Sequence, residues 1–187
     1  MTSILLISGS LRDGSVNTSV LRTARAIAPA DVDAVLYDGM ATLPHFNPDD
    51  DPDGGPVHPA VAALRSALHA ADAVLICTPE YAGALPGSFK NLLEWTVGDA
   101  STYRKPVAWI NASSAAAPTG GADAHDSLRK VLGYVDADVV EDAVIRVPVP
   151  RSAIGADGLI GDPAIREAIG GAVAALAAHA RLSDDPA

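Results

Sequence analysis

Residues 3–19 read SILLISGSLRDGSVNTS, an apolar run from Ile4 to Ile7 that gives way to glycines, hydroxyls, an arginine and an asparagine. The run is short and β-rich, and predicts a strand over Ser3–Ser8 buried on both faces. Beyond it, Val20, Leu21, Ala24 and Ile27 recur at helical spacing, so the polar stretch opens directly into a helix. Backbone N–H groups at such a helix start hold anions. Gly9 and Gly14 let those amides approach a ligand closely, Ser10, Ser15, Asn17, Thr18 and Ser19 add side-chain donors, and Arg12 adds a forked cation suited to phosphate. A plain turn would need only one capping residue, Asn17 or Thr18; the donors present exceed that need.

The same alternation continues along the chain. Further strands are predicted at Val32–Tyr37, Ala73–Cys77, Pro106–Ala112 and Val139–Val147. Between them Val57, Val61, Leu64 and Leu68 share one helical face, as do Phe89, Leu92, Leu93 and Thr96. A fourth helix is predicted from about Asp123 to Leu132, and a fifth carries Ile165, Ile169, Val173 and Leu176. Five right-handed βα units predict an α/β three-layer sandwich with a five-stranded parallel sheet and a ligand crevice at the carboxyl ends of the strands. The expected organisation is one domain over residues 1–182 and a frayed tail at 183–187.

Composition narrows the function. The 187 residues carry 13 Lys and Arg against 23 Asp and Glu, a net charge of -10, which leaves no basic face for nucleic acid. The lone Cys77 excludes an internal disulfide and a multi-thiolate metal site, and reads as a small apolar residue near a strand end. The five histidines share no metal-ligand spacing and read as surface residues, and Asp49–Asp51 lie in a turn-rich loop without the spacing of a calcium site. There is no charged leader and no apolar run of roughly 18 residues, so a cytoplasmic protein without a membrane partner is expected. No Gly-x-Ser-x-Gly elbow is present. The first loop has neither a Walker lysine nor three dinucleotide-binding glycines, so a terminal monoester phosphate suits it best.

Two more loops leave strand ends on the same side. After the third strand, TPEYAGALPGSFKNLLEW offers backbone amides and Tyr81 to a flat ring, with a helix starting near Gly87 or Ser88; after the fourth, SSAAAPTGG adds a small-residue wall. Together GSLRDGSVN, TPEYAGALPGSFKNLLEW and SSAAAPTGGADAHDSLRKVL, in this order, resemble the NADPH-dependent FMN reductase family, which is flavodoxin-like and includes quinone, chromate and azo-dye reductases. The resemblance covers roughly Ile4 to Leu132.

It implies that Ser10, Arg12, Ser15, Asn17 and Thr18 hold an FMN phosphate, that Pro79, Glu80, Tyr81, Ala82 and Gly83 border the isoalloxazine, and that Ser113, Gly120 and Gly121 complete the pocket. NADPH or NADH would be the donor and a small molecule the electron acceptor, in a homodimer or homotetramer. Trp95 would then lie at a subunit interface or in the core. No catalytic dyad is expected, because hydride transfer between stacked rings asks the protein for binding and orientation. A flavodoxin-type carrier served by a protein reductase is the alternative, and a flavin-free anion-binding module a third. Two departures stand out. Phe89 replaces a more usual aliphatic residue. Ala82 stands where the family commonly has asparagine, which is expected to remove a polar contact to flavin or substrate and to leave the fold indifferent.

Overall fold

The computed structural model describes residues 1–114 and 117–183. It alternates β1 (Thr2–Ser8), α1 (Val16–Ala26), β2 (Val32–Tyr37), α2 (Pro59–Ala70), β3 (Ala73–Cys77), α3 (Gly87–Glu94), β4 (Pro106–Asn111), α4 (Ala122–Tyr134), β5 (Asp138–Val139), β6 (Ile145–Arg146) and α5 (Pro163–Ser183). The parallel sheet runs β2-β1-β3-β4-β5, and β6 pairs with β4 beyond β5. Alternate residues of each central strand feed opposite cores. Ile4, Leu6, Leu75 and Ile110 pack with α1 and α5, while Leu5, Ile7, Ile76 and Trp109 pack with α2, α3 and α4. This is the three-layer flavodoxin-like sandwich, and the order places every β-to-α loop at one edge.

Several expectations change in detail. The fifth strand breaks in two, because a 3-10 turn at Glu141–Ala143 interrupts it. A straight strand there would aim one of two adjacent carboxylates into a helical layer; instead Glu141 turns out to meet Arg129. The cap of α1 is Ser15 rather than Asn17 or Thr18. Ser183 is the last residue of α5, and residues 184–187 of the expected tail lie outside those described. Asp51 is not a solvated loop residue, since its carboxylate accepts a 2.7 Å hydrogen bond from Arg65, which also donates to Trp95 O. Trp95 is 0% exposed, its Nε1 donating to Pro44 O and its ring meeting Phe46 edge-on, so it belongs to the core. Phe89 is fully buried too.

The loop after β3 contains a two-residue hairpin. Tyr81 and Ala84 exchange both backbone hydrogen bonds at 3.1 Å, and Ala82 and Gly83 between them have φ of 52° and 70°. Positive φ at both central positions is a type I′ turn, whose preferred sequence is Asn-Gly. The asparagine of the resembled family thus has a backbone reason, and the fold is not indifferent to residue 82 as expected. We predict that Ala82→Asn raises the unfolding free energy by about 0.5 to 1 kcal/mol, because an alanine pays for the left-handed region that asparagine tolerates. Urea unfolding measures it; unchanged stability with tightened flavin binding would return the position to the ligand.

His125 departs from its expected surface place. It is 8% exposed on α4, stacked on Trp109 at 6.2 Å between ring centroids, and neither ring nitrogen has a hydrogen-bond partner among the described residues. Burial lowers its pKa from 6.5 to about 4. Above pH 6.5 neither the folded nor the unfolded chain protonates it. Between pH 6.5 and 4 only the unfolded chain takes the proton, so stability falls as pH falls, by up to about 3 kcal/mol. His125→Phe should remove that part of the pH dependence in urea unfolding between pH 7 and 4.5. An identical slope in both proteins would contradict it.

Candidate functional site

The first loop is held against the end of β3. Gly9 N donates to Cys77 O at 2.9 Å, and a Cβ on Gly9 would run into the Thr78 hydroxyl, so only glycine allows this approach. Ser8 and Thr18 share a hydrogen bond through their hydroxyls at 2.9 Å, tying the strand end to the helix start. Ser8 Oγ also accepts from Ser10 N, and Ser10 Oγ from Arg12 N. Ser15 is buried, and although it holds the N-cap position its hydroxyl accepts from Asn17 Nδ2 and from no backbone amide of the helix. Asn17 Oδ1 accepts from the Cys77 thiol at 3.3 Å. Burial pushes that thiol up, so Cys77 stays protonated as expected of a core residue.

The loop after β4 is shaped by one side chain and two glycines. Asn111 Nδ2 donates to Gly120 O at 2.9 Å, and its Oδ1 accepts from Ser113 N at 3.0 Å. Gly120 and Gly121 have φ of 61° and 80°. Gly121 is the N-cap of α4, and a Cβ there would strike the Ser113 hydroxyl. Ala115 and Ala116 of the predicted third wall lie outside the described residues.

Glu80 joins the second and third loops. Its carboxylate accepts from the Thr119 hydroxyl at 2.6 Å and from Ala124 N at 3.3 Å, in the first turn of α4. The Thr119 bond, with the amides of Ala124 and Asp123, holds its carboxyl below the usual carboxylate range. An anion at a helix N-terminus is where the peptide dipoles favour it. Glu80 is therefore a cross-link between loops, which its expected place along a ring edge did not foresee.

Two cavities flank the first loop. The larger, about 460 Å³, is lined by Val16 and Asn17, by Pro79 and Glu80, by Ser113, Ala117 and Gly121, and by Val149, Pro150 and Arg151. The smaller, about 240 Å³, lies on the outer side of the loop and takes in Ser10, Arg12, Ser15, Thr18, Arg22 and Asp38. The structure thus brings Asn17, Pro79, Glu80, Ser113 and Gly121 together in one crevice and sets Ser10, Arg12, Ser15 and Thr18 on its far shoulder. Tyr81, Ala82, Gly83 and Gly120 line neither; Tyr81 is 52% exposed on its turn.

Sequence reasoning missed the wall made by Val149–Arg151. Val149 N donates to Ala112 O at 3.2 Å, which lays this segment alongside the end of β4. Its signal was present in VPVPR, a proline-flanked exit from the last strand. The rule that ligands bind at carboxyl ends applies to that strand as to the others.

The donor set fits FMN. The crevice offers apolar walls to a ring at Pro79, Ala112 and Val149, hydroxyls at Ser113 and Ser114 to a polyol, and the N-terminal residues of α1 beside a loop carrying Arg12 to a phosphate.

Comparison with known proteins agrees. A sequence profile of the family described as NADPH-dependent FMN reductase matches residues 2–148. The chain is 32% identical over 193 residues to the probable NADPH:quinone oxidoreductase 2 of Oryza sativa subsp. japonica, covering 98% of this chain and 92% of that one. It is 36% identical over 140 residues to the quinone reductase of Escherichia coli (strain K12), covering 73% and 72%. Among solved structures it resembles FerB, the flavoenzyme NAD(P)H:(acceptor) oxidoreductase from Paracoccus denitrificans, with a TM-score of 0.75 and 26% identity over 97% of this chain and 98% of that one. By its profile match, its relatives and its fold, the chain belongs to the NADPH-dependent FMN reductase family.

Proposed function

We propose that this chain is an FMN-dependent NAD(P)H oxidoreductase that passes electrons from a nicotinamide to a quinone, an azo compound, an oxidised metal ion or free flavin. One observation carries the choice over an electron carrier: no aromatic side chain lines the crevice among the described residues. A carrier is expected to cover its flavin with aromatic rings. An uncovered, small-residue wall leaves space for a nicotinamide and then an acceptor to stack in turn. The names of the relatives, two quinone oxidoreductases and an acceptor oxidoreductase, support the same reading.

When bound, FMN would supply the redox chemistry between nicotinamide and acceptor. The residues of this chain position it. The α1 N-terminus, with Ser10, Arg12, Ser15 and Asn17, holds the phosphate, and Thr18 acts by fixing Ser8. Pro79 borders the ring plane, with the Tyr81–Gly83 turn behind it and outside the cavity wall, Glu80 fixes the spacing between the two loops beside it, and Ser113 and Gly121, the latter set by the turn at Gly120, close the third side. Catalysis by orientation needs no nucleophile. The protonated, buried Cys77 is consistent with that.

We also propose that the chain is a single cytoplasmic domain that self-associates. No helix among the described residues is long and apolar enough to cross a membrane. Between α3 and α4 runs a groove where Val97 and Tyr134 are 59% and 92% exposed. We assign this groove to contact with a second copy, in place of the interface role considered for Trp95.

The test is anaerobic. With FMN-loaded protein, NADPH or NADH alone should bleach the flavin absorbance, a quinone should restore it, and initial rates should give the parallel lines of a ping-pong scheme. Bleaching that requires an added protein reductase would make the chain a carrier instead.

A further inference from the structure

Arg151 has no task in the reading above. Its side chain is exposed, it lines the crevice, and its guanidinium enters no ion pair or hydrogen bond among the described residues. The segment that carries it is fixed. Val149 is buried and bonded to Ala112 O, the Pro150 ring fixes its own φ, and a 3-10 turn follows, with Ala153 N donating to Pro150 O at 2.9 Å and Ile154 N to Arg151 O at 3.2 Å. A cation on such a segment starts from a defined place on the rim of the crevice.

Three observations say what it is for. Glu80, the other charged residue lining the crevice, is already committed to Thr119 and Ala124. Arg151 is thus a charge without a counter-charge in that space. The protein as a whole carries -10, so an approaching polyanion is repelled at long range and needs a local cation to settle. The family profile ends at residue 148, so Arg151 lies three positions past the matched segment, on the exit from the last strand. The FMN phosphate is assigned to the first loop, across the crevice. The other phosphate-bearing molecule that must visit is the nicotinamide dinucleotide.

We infer that Arg151 is a binding residue that holds a phosphate of the nicotinamide dinucleotide at the crevice rim. The inference rests on the proposed oxidoreductase reading. A guanidinium forks onto two phosphate oxygens, which a lysine ammonium does as a point charge only.

The experiment is equilibrium titration of FMN-loaded protein with NADP⁺ and with NAD⁺, followed by calorimetry, beside titration of the apoprotein with FMN. Arg151→Ala should weaken dinucleotide binding about tenfold, the loss of one engaged charge-assisted contact. Arg151→Lys should recover part of it. Arg25→Ala, which makes the same change in net charge on the exposed side of α1, should leave all three affinities as in the wild type. FMN affinity and the thermal midpoint should be unchanged in Arg151→Ala. Weakening of NADP⁺ alone assigns the contact to the 2′-phosphate, and equal weakening of both assigns it to the pyrophosphate; either supports the inference. Wild-type dinucleotide affinities in Arg151→Ala, or a loss confined to FMN, would overturn it. Should the wild-type flavin fail to bleach with either donor, the oxidoreductase reading falls; bleaching that is intact while Arg151→Ala binds both dinucleotides normally sinks only the role of Arg151.

Discussion

The carboxylate of Glu80 accepts from the Thr119 hydroxyl and from the amide of Ala124, and so ties the loop after β3 to the start of the helix after β4. Loops at the carboxyl end of a parallel sheet have no ladder to fix their spacing. A crevice made of three or four of them needs a tie that reaches from one to the next. Here the tie uses an anion where the α4 peptide dipoles favour one, which both satisfies the helix start and sets the distance between two walls.

Close backbone approach supplies the rest of the spacing. Gly9 brings the first loop onto Thr78, and Gly121 brings the start of α4 onto Ser113 and Asn111. Asn111 then fastens the turn through Gly120 O. On the far side Val149 hydrogen-bonds Ala112, so the last strand exit forms a fourth wall. Each tie is local, yet together they leave an open space of about 460 Å³ above β3 and β4. That openness distinguishes a reductase, which admits two flat molecules in turn, from a carrier, which shields its flavin.

Much of this was legible in the residues. Short apolar runs alternating with helical spacing gave the layers and the parallel sheet, because each central strand must be apolar on both faces. The donor-rich segment Ser8–Ser19 pointed to an anion site at the start of α1. What pattern reading could not supply was which way side chains turn within a loop. Glu80 faces the α4 N-terminus, Arg12 the outer shoulder, and Ala82 adopts a left-handed backbone, none of which spacing encodes. His125 was misjudged for a related reason: histidine is polar by type, but its place on α4 sets it against Trp109. The acidic pair Glu141–Asp142 that splits the fifth strand was present in the sequence, and weighing two carboxylates in a doubly covered strand would have predicted the break.

The Glu80 tie sets the walls of the crevice, and the affinity of the apoprotein for FMN in Glu80 variants tests it most directly. Glu80→Ala should weaken FMN about tenfold and riboflavin by the same factor, because the tie sets the walls and not the phosphate site. Glu80→Gln, whose side-chain carbonyl can still accept from Thr119, should fall between. Wild-type FMN affinity in Glu80→Ala would contradict the account, as would a loss seen with FMN but not with riboflavin.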